Sequence, residues 1–275
     1  MSKPLVQFSI LAMIFFGTWF LLSRIDFITF FKVEELTRDN EQKLGALILD
    51  TVKKGHPELE SDSVRDCVEN IKQRLCAANG IEDSSITIHI LRMEDVNAFA
   101  LPGRHIIVYT GLLSYCNSPE ELSGVLAHEI GHIENRDVMK KLLNEVGLSM
   151  LMTIAGGGSG REITREVVKL LSSTAFDREQ EARADLYAVR MMAKADIDPE
   201  HLANFLFRLS QEKNNIPKYL EWLSTHPNSQ DRSSEILKLR KQETFHPKPL
   251  ASGDRWAAVE KIVRSANNAT HQQPE

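Results

Sequence analysis

His128-Glu129-Ile130-Gly131-His132 is the stretch on which the reading of this chain turns. Four residues advance an α-helix by about 400°, so His128 and His132 fall on one face, one turn apart. Two imidazoles so placed can share one Zn²⁺, and the adjacent Glu129 can take a proton from a water on the metal. The plain alternative is an exposed helix face carrying two histidines. The neighbours argue against it, because Leu122, Val125, Leu126, Ile130 and Ile133 make the segment strongly apolar. An acid and two histidines inside a buried helix need partners. Ser118-Pro119-Glu120-Glu121 marks the start: Ser118 as N-cap, Pro119 as first helical residue, Glu121 as the return partner of a capping box. The pattern predicts a helix running to around Gly147 or beyond.

A catalytic zinc takes three protein ligands and keeps one open position. The metzincin extension requires a glycine at position 135 and a histidine at position 138; this chain has Asn135 and Val138 there. Glu134 and Glu145 share the predicted helix and cannot curl back onto the metal. The best candidate is Glu181, within Glu179-Gln180-Glu181-Ala182-Arg183-Ala184-Asp185. Asp185 follows one turn later on the same face, suited to accept the free ring N–H of a zinc histidine. Ala182 and Ala184 leave room for close helix packing. Taken alone, this segment is a charged, solvated helix; beside an incomplete two-histidine site, it supplies the missing arm.

Upstream, helices are expected over 34–54 and 63–78, the second ended by Asn79-Gly80. The period then changes. Ile86, Ile88 and Ile90 alternate with polar residues as in a half-buried strand, and 97–101 and 105–109 form two more strands around a Pro102-Gly103 turn. Downstream, 142–155 is an apolar stretch, too short to span a membrane comfortably, that forms a buried helix or dips into a bilayer surface. Glycines at 156–158 and 160 make a loop suited to the hinge of a lid. One helix is expected over 164–194, another from Asp198-Pro199 to about 212, a broken region over 214–231, and a short helix over 233–242.

Residues 5–22 are uncharged and apolar except for Gln7, Ser9 and Thr18, about the length that spans a bilayer. No small-residue cleavage site follows, which favours an uncleaved signal anchor over a cleaved signal peptide or a buried helix. Arg24 and Lys32 partly balance Lys3, and the orientation reads as N-terminus inside with the bulk of the chain outside the cytoplasm. The aromatic-rich segment 25–31 suits a membrane interface. The expected organisation is an anchor at 1–32, a catalytic domain at 33–266 and a disordered tail at 267–275. A net charge of −5 and the absence of a basic stripe exclude an electrostatic footprint for nucleic acid. Cys67 and Cys76 sit roughly 13 Å apart along one helix, too far for a disulfide; with Cys116 they read as buried or inert thiols.

Several ordered motifs together resemble the zinc metallopeptidase family that includes HtpX, the CAAX prenyl protease and BepA. They are the run from Asn97 to Gly103, the run from Val108 to Leu113, Glu120-Glu121-Leu122 leading into the His-Glu motif, the run from Glu181 to Asp185, and Thr225-His226-Pro227 with Arg232. The resemblance covers about 60–240. It implies one Zn²⁺ on His128, His132 and Glu181, with Glu129 as general base and Asp185 behind the ligands. It also implies that the strand of Asn97, Ala98, Phe99 and Ala100 pairs with an extended or unfolded polypeptide. His226 would lie near the metal, steadying the oxyanion or occupying the open position at rest; Arg232 would be structural or contact substrate. The implied fold is a mainly helical α+β, zincin-like domain with a small sheet packed on the metal helix. HtpX and the CAAX protease have several membrane spans where this chain offers one, which points to a single-anchor or periplasmic quality-control endopeptidase. Two other readings stay open: a zinc-dependent, chaperone-like binding protein with weak or no proteolysis, and a structural zinc closed by a fourth ligand.

Overall fold

The computed structural model describes residues 7, 11–18, 38–157, 161–173, 175–211, 221–250 and 253–270. The chain divides into two units, 1–41 and 42–275. In the first, residues 11–18 are helical, with Leu11, Met13, Ile14, Phe15 and Phe16 exposed. Most of the expected anchor at 1–32, including the interfacial segment 25–31, lies outside the described residues. Among those described, no helix is long and apolar enough to cross a membrane.

The second unit is mainly helical. Helices α1 (Arg38–Gly55) and α2 (Asp62–Asn79) come first. The Ser61 hydroxyl caps α2, and Gly80 ends it in the left-handed conformation (φ 67°) that a residue without Cβ adopts freely. Cys67 and Cys76 both lie on α2, and the three cysteines are free.

Three short strands follow: β1 (Thr87–Leu91), β2 (Ala98–Leu101) and β3 (His105–Tyr109), in the order β1-β3-β2. β3 pairs parallel with β1 and antiparallel with β2. A 3₁₀ turn at Pro102–Arg104 joins β2 to β3, with positive φ at Gly103 and Arg104. β2 is therefore an edge strand, yet its four residues are buried. Helix α3 (Thr110–Tyr115) leads to α4 (Pro119–Glu134), which carries the His-Glu motif.

α4 starts as expected. Ser118 accepts from the Glu121 N–H at 3.3 Å and Pro119 occupies the first turn. The Glu121 carboxylate reaches back one residue further than a capping box, to the Asn117 N–H at 2.7 Å, and also holds Arg208. From Leu122 to His132 every residue of α4 is buried. Full burial of Leu122, Val125, Leu126 and Ile130 contributes roughly 1.5–3 kcal/mol each, which offsets the cost of taking three polar side chains out of water.

α4 does not run to Gly147. It ends at Glu134, Arg136 takes a left-handed conformation (φ 56°), and α5 (Asp137–Glu145) sets off in a new direction. α6 (Leu148–Ala155) is separate again: Leu151 and Ile154 are buried while Leu148, Met150 and Met152 are exposed, so the expected buried helix is buried on one side only. Of the glycine loop, 158–160 lies outside the described residues. The single helix expected over 164–194 is two, α7 (Arg161–Ser173) and α8 (Arg178–Lys194). The break has a local cause: Asp177 caps α8, and Gln180 returns the bond to the Asp177 N–H in a capping box.

α9 (Glu200–Gln211), α10 (Glu221–Thr225), α11 (Ser229–Arg240) and α12 (Gly253–Thr270) complete the fold. α11 starts earlier than the expected 233, and the last turns of α12 occupy positions expected to lie in the tail. α8 and α9 pack on α4, α11 packs on both α8 and α9, and α7 lies alongside β2 and α10. The α4–α8 crossing is close. A Cβ on Gly131 would sit 3.1 Å from the Ala184 carbonyl oxygen and 3.2 Å from its Cα. Gly131 is thus the small residue that permits the approach, against the buried Ala184 on α8, whereas Ala182 faces solvent.

Candidate metal centre

The close crossing of α4 and α8 delivers Glu181 to the two histidines. His128 Nε2 and His132 Nε2 lie 3.1 Å apart. Glu181 Oε1 is 3.4 Å from His132 Nε2, and Oε2 is 3.7 Å from His128 Nε2. His226, just after α10, completes the group: its Nδ1 is 3.2 Å from His128 Nε2 and 2.9 Å from Glu181 Oε1. One donor atom from each of His128, His132, Glu181 and His226 falls within 4.8 Å of the others, all buried.

These residues fit zinc. Bonds of about 2.0–2.1 Å at tetrahedral angles place neighbouring donors about 3.3 Å apart, the scale of the separations found. The buried His226 Nε2 faces Glu129 Oε1 at 3.5 Å without a hydrogen bond between them, a costly arrangement that a cation and its water relieve. Three imidazoles with a carboxylate form a nitrogen and oxygen donor set suited to zinc.

Each histidine of the motif has its own carboxylate behind it. His128 Nδ1 is 3.0 Å from Asp185 Oδ1, and His132 Nδ1 is 3.1 Å from Asp137 Oδ2. The Asp185 contact is the one the sequence suggested. The Asp137 contact is not legible there, because an unbroken helix would turn position 137 about 140° away from His132. Only the Asn135-Arg136 break brings it back.

Arg232 lies in this shell rather than towards β2. Its Nε and Nη2 donate to Asp185 at 2.7 Å, and Nη1 pairs with Glu181. A buried guanidinium between two carboxylates orients them. Asn97, Ala98, Phe99 and Ala100 come together at the sheet edge. The Asn97 carbonyl accepts from the Tyr109 N–H at 3.0 Å, and Phe99 stands edge-to-face on Tyr109.

The electrostatics follow from burial. Burial pushes Glu129 up to about 8, against His132, with the nearby Glu181 adding to the rise and the Ala100 backbone on β2 offsetting part of it. Burial lowers His226 to about 3 despite Glu181. Burial and then Arg232 also lower His128. For His132 burial works downwards, but Asp137 and Glu181 outweigh it and hold the ring up to about 9. Burial would raise Asp185, yet Arg232 and His128 bring it down to about 2. Glu181 is likewise held low by Arg232 and His226 against burial.

Aromatic rings wall the cluster. Phe176 stacks on His132 with ring centres 4.0 Å apart, and Trp222 stacks on His226 at 4.1 Å. The Lys141 ammonium lies over the other residue of that wall, 4.4 Å from the Phe176 ring centre. None of these three was singled out from sequence, since an aromatic between charged helices carries no local signature of a site.

Fold and centre together define a mainly helical domain with a zincin-like site. A model of peptidase family M48 matches residues 63–240, more than half of the chain, and the chain belongs to that family, which uses zinc. Among its relatives is the mitochondrial metalloendopeptidase OMA1 of Schizosaccharomyces pombe, 28% identical over 172 residues covering 62% of this chain and 51% of the relative. The Bos taurus OMA1 metalloendopeptidase is 30% identical over 218 residues, 71% of this chain and 42% of its own. The β-barrel assembly-enhancing protease of Yersinia pestis is 25% identical over 231 residues, 77% and 46% respectively. The chain spans about half the length of these curated relatives.

Proposed function

We propose that this chain is a zinc-dependent metalloendopeptidase acting on unfolded or misassembled membrane and envelope proteins. The observation that carries the reading is the convergence of His128, His132 and Glu181 beside a fully buried Glu129. A structural zinc needs the ligands but has no use for that carboxylate. Zinc, when bound by those three residues, supplies Lewis acidity towards a carbonyl and towards water. Glu129 takes the proton of the attacking water and passes it to the leaving amine; a carboxyl lifted by burial is suited to both steps. Edge strand β2 aligns the extended substrate through its backbone, with Asn97, Ala98, Phe99 and Ala100 lining it. Arg232 and Asp185 keep the ligand carboxylate and the His128 ring in place.

His226 sets the resting state. In the cluster it takes the position that substrate and water need, so activity requires its ring to swing aside. The same closure favours a second reading, a zinc-dependent binding or chaperone-like protein with weak proteolysis. The membrane setting rests on the uncharged run 5–22 as a single anchor with the catalytic unit on the extracytoplasmic side, and on relatives whose names place them in mitochondria and in β-barrel assembly.

The deciding experiment measures zinc content and cleavage of an unfolded protein in the wild type, Glu129→Gln, His226→Ala and the double variant. The expected result is equal zinc in all, cleavage raised by His226→Ala, and none wherever Glu129 is replaced. Full zinc with no Glu129-dependent cleavage, even with His226 removed, would leave the binding reading standing.

A further inference from the structure

We propose that Asp137 is a positioning residue for the metal centre: it fixes the His132 ring so that Nε2 faces the other donors. The inference rests on the zinc reading above. Asp137 is fully buried, and its Oδ2 sits 3.1 Å from His132 Nδ1. A carboxylate only accepts, so in the neutral, ligating ring Nδ1 carries the hydrogen and Nε2 presents its lone pair. That lone pair points to where His128 Nε2 and Glu181 Oε1 also converge. The second oxygen, Oδ1, is approached from α8 by Arg183 Nη2 at 3.4 Å and from within α5 by Lys140 Nζ at 3.9 Å. Arg183 lies between Glu181 and Asp185 in sequence, so one turn of α8 supplies a ligand, the partner of His128, and the guanidinium that steadies the partner of His132.

The bland account is that Asp137 serves only as an acid at the first turn of α5. An acid in that role does its work while facing solvent. This one is turned inward by the left-handed Arg136 and aimed at an imidazole. The arrangement mirrors the other half of the motif, where Asp185 meets His128 and Arg232 holds Asp185. Two ligand rings are thus locked by two carboxylates, each carrying its own arginine.

The test is zinc affinity of the full chain, measured by chelator competition, beside the melting temperature of the same protein stripped with excess chelator. Asp137→Ala is expected to weaken zinc about 10–100-fold, and Asp137→Asn by much less, because its amide oxygen still accepts from Nδ1. Co²⁺-loaded Asp137→Ala should show altered d–d absorption, a signature that a helix-terminus role would not move. Arg183→Met, on a part-exposed side chain, tests the same chain of contacts if Asp137→Ala does not fold, with an expected weakening of about 2–10-fold. Unchanged zinc affinity in these variants, or a loss in Asp137→Ala matched in Asp137→Asn and by an equal fall in the stripped protein's melting temperature, overturns the inference while leaving the peptidase reading intact. A wild-type chain that binds no zinc overturns both.

Discussion

Two histidine clusters sit on opposite sides of the usual line between a metal site and a hydrogen-bond chain. In one, His128, His132 and His226 turn unshared nitrogens towards a common point beside Glu181. In the other, on the small sheet, His89 Nδ1 meets Glu58 Oε1 at 2.7 Å and His89 Nε2 meets His105 Nδ1 at 3.1 Å. The second chain is linear: the middle ring uses both nitrogens along the line and no three lone pairs converge. It is also part-exposed at Glu58, which Lys53 pairs at 3.0 Å. Histidine content is similar in the two clusters, so it does not decide. Convergence does, together with carboxylates on the outer ring nitrogens and burial that leaves the inner atoms no water.

Replacing a single group in each cluster should separate them most sharply. Glu129→Gln is expected to cut cleavage of an unfolded substrate by about 10²–10⁴-fold with zinc retained, whereas His105→Gln should leave both cleavage and zinc unchanged; zinc loss in His105→Gln would erase the distinction. Arg232→Met comes next. It leaves Asp185 and Glu181 buried without their cation, and chemical denaturation should show a loss of about 3–5 kcal/mol. A loss below 1 kcal/mol would mean that the pair tolerates isolation.

Acid should affect the sheet cluster more gently. Burial, with His89 adding to it, lowers His105 to about 4, and burial lowers His89 despite Glu58. A ring whose folded pKa is depressed binds its proton more readily when unfolded. The stability it contributes is therefore complete above about 6.5 and is lost as pH falls towards 4. Discounted for solvent, the effect is about 1 kcal/mol, and His105→Gln should flatten the stability curve over that window. The smallest change is expected from Glu58→Gln, within about 1 kcal/mol at neutral pH; a larger loss would show the sheet cluster to be a stronger network than its exposure suggests.

The sequence was most legible where one helix had to satisfy several local rules at once. Ser118, Pro119 and the apolar spacing around His128 located α4 and its buried face, and the i, i+4 spacing of Glu181 and Asp185 placed both on one side of α8. The division into α4 and α5 was not legible, because Asn135-Arg136 contains neither glycine nor proline to mark the left-handed turn at Arg136. The gap between α7 and α8 had a readable signal in Asp177 and Gln180, overshadowed by the helical spacing on either side. Asp137 followed from the first of these misses. Arg232 carried no local clue that its partners would be the acids of another helix.

The spread of the donors along the chain has a consequence for biosynthesis. His226 lies 98 residues after His128 and 45 after Glu181. A nascent chain that has released α4 but not α8 holds the base and two imidazoles without a third ligand. When Glu181 emerges, His226 follows within the next few dozen residues and docks into the same cluster. The interval in which the growing polypeptide carries three ligands and the base but no cap is thus limited to those 45 residues.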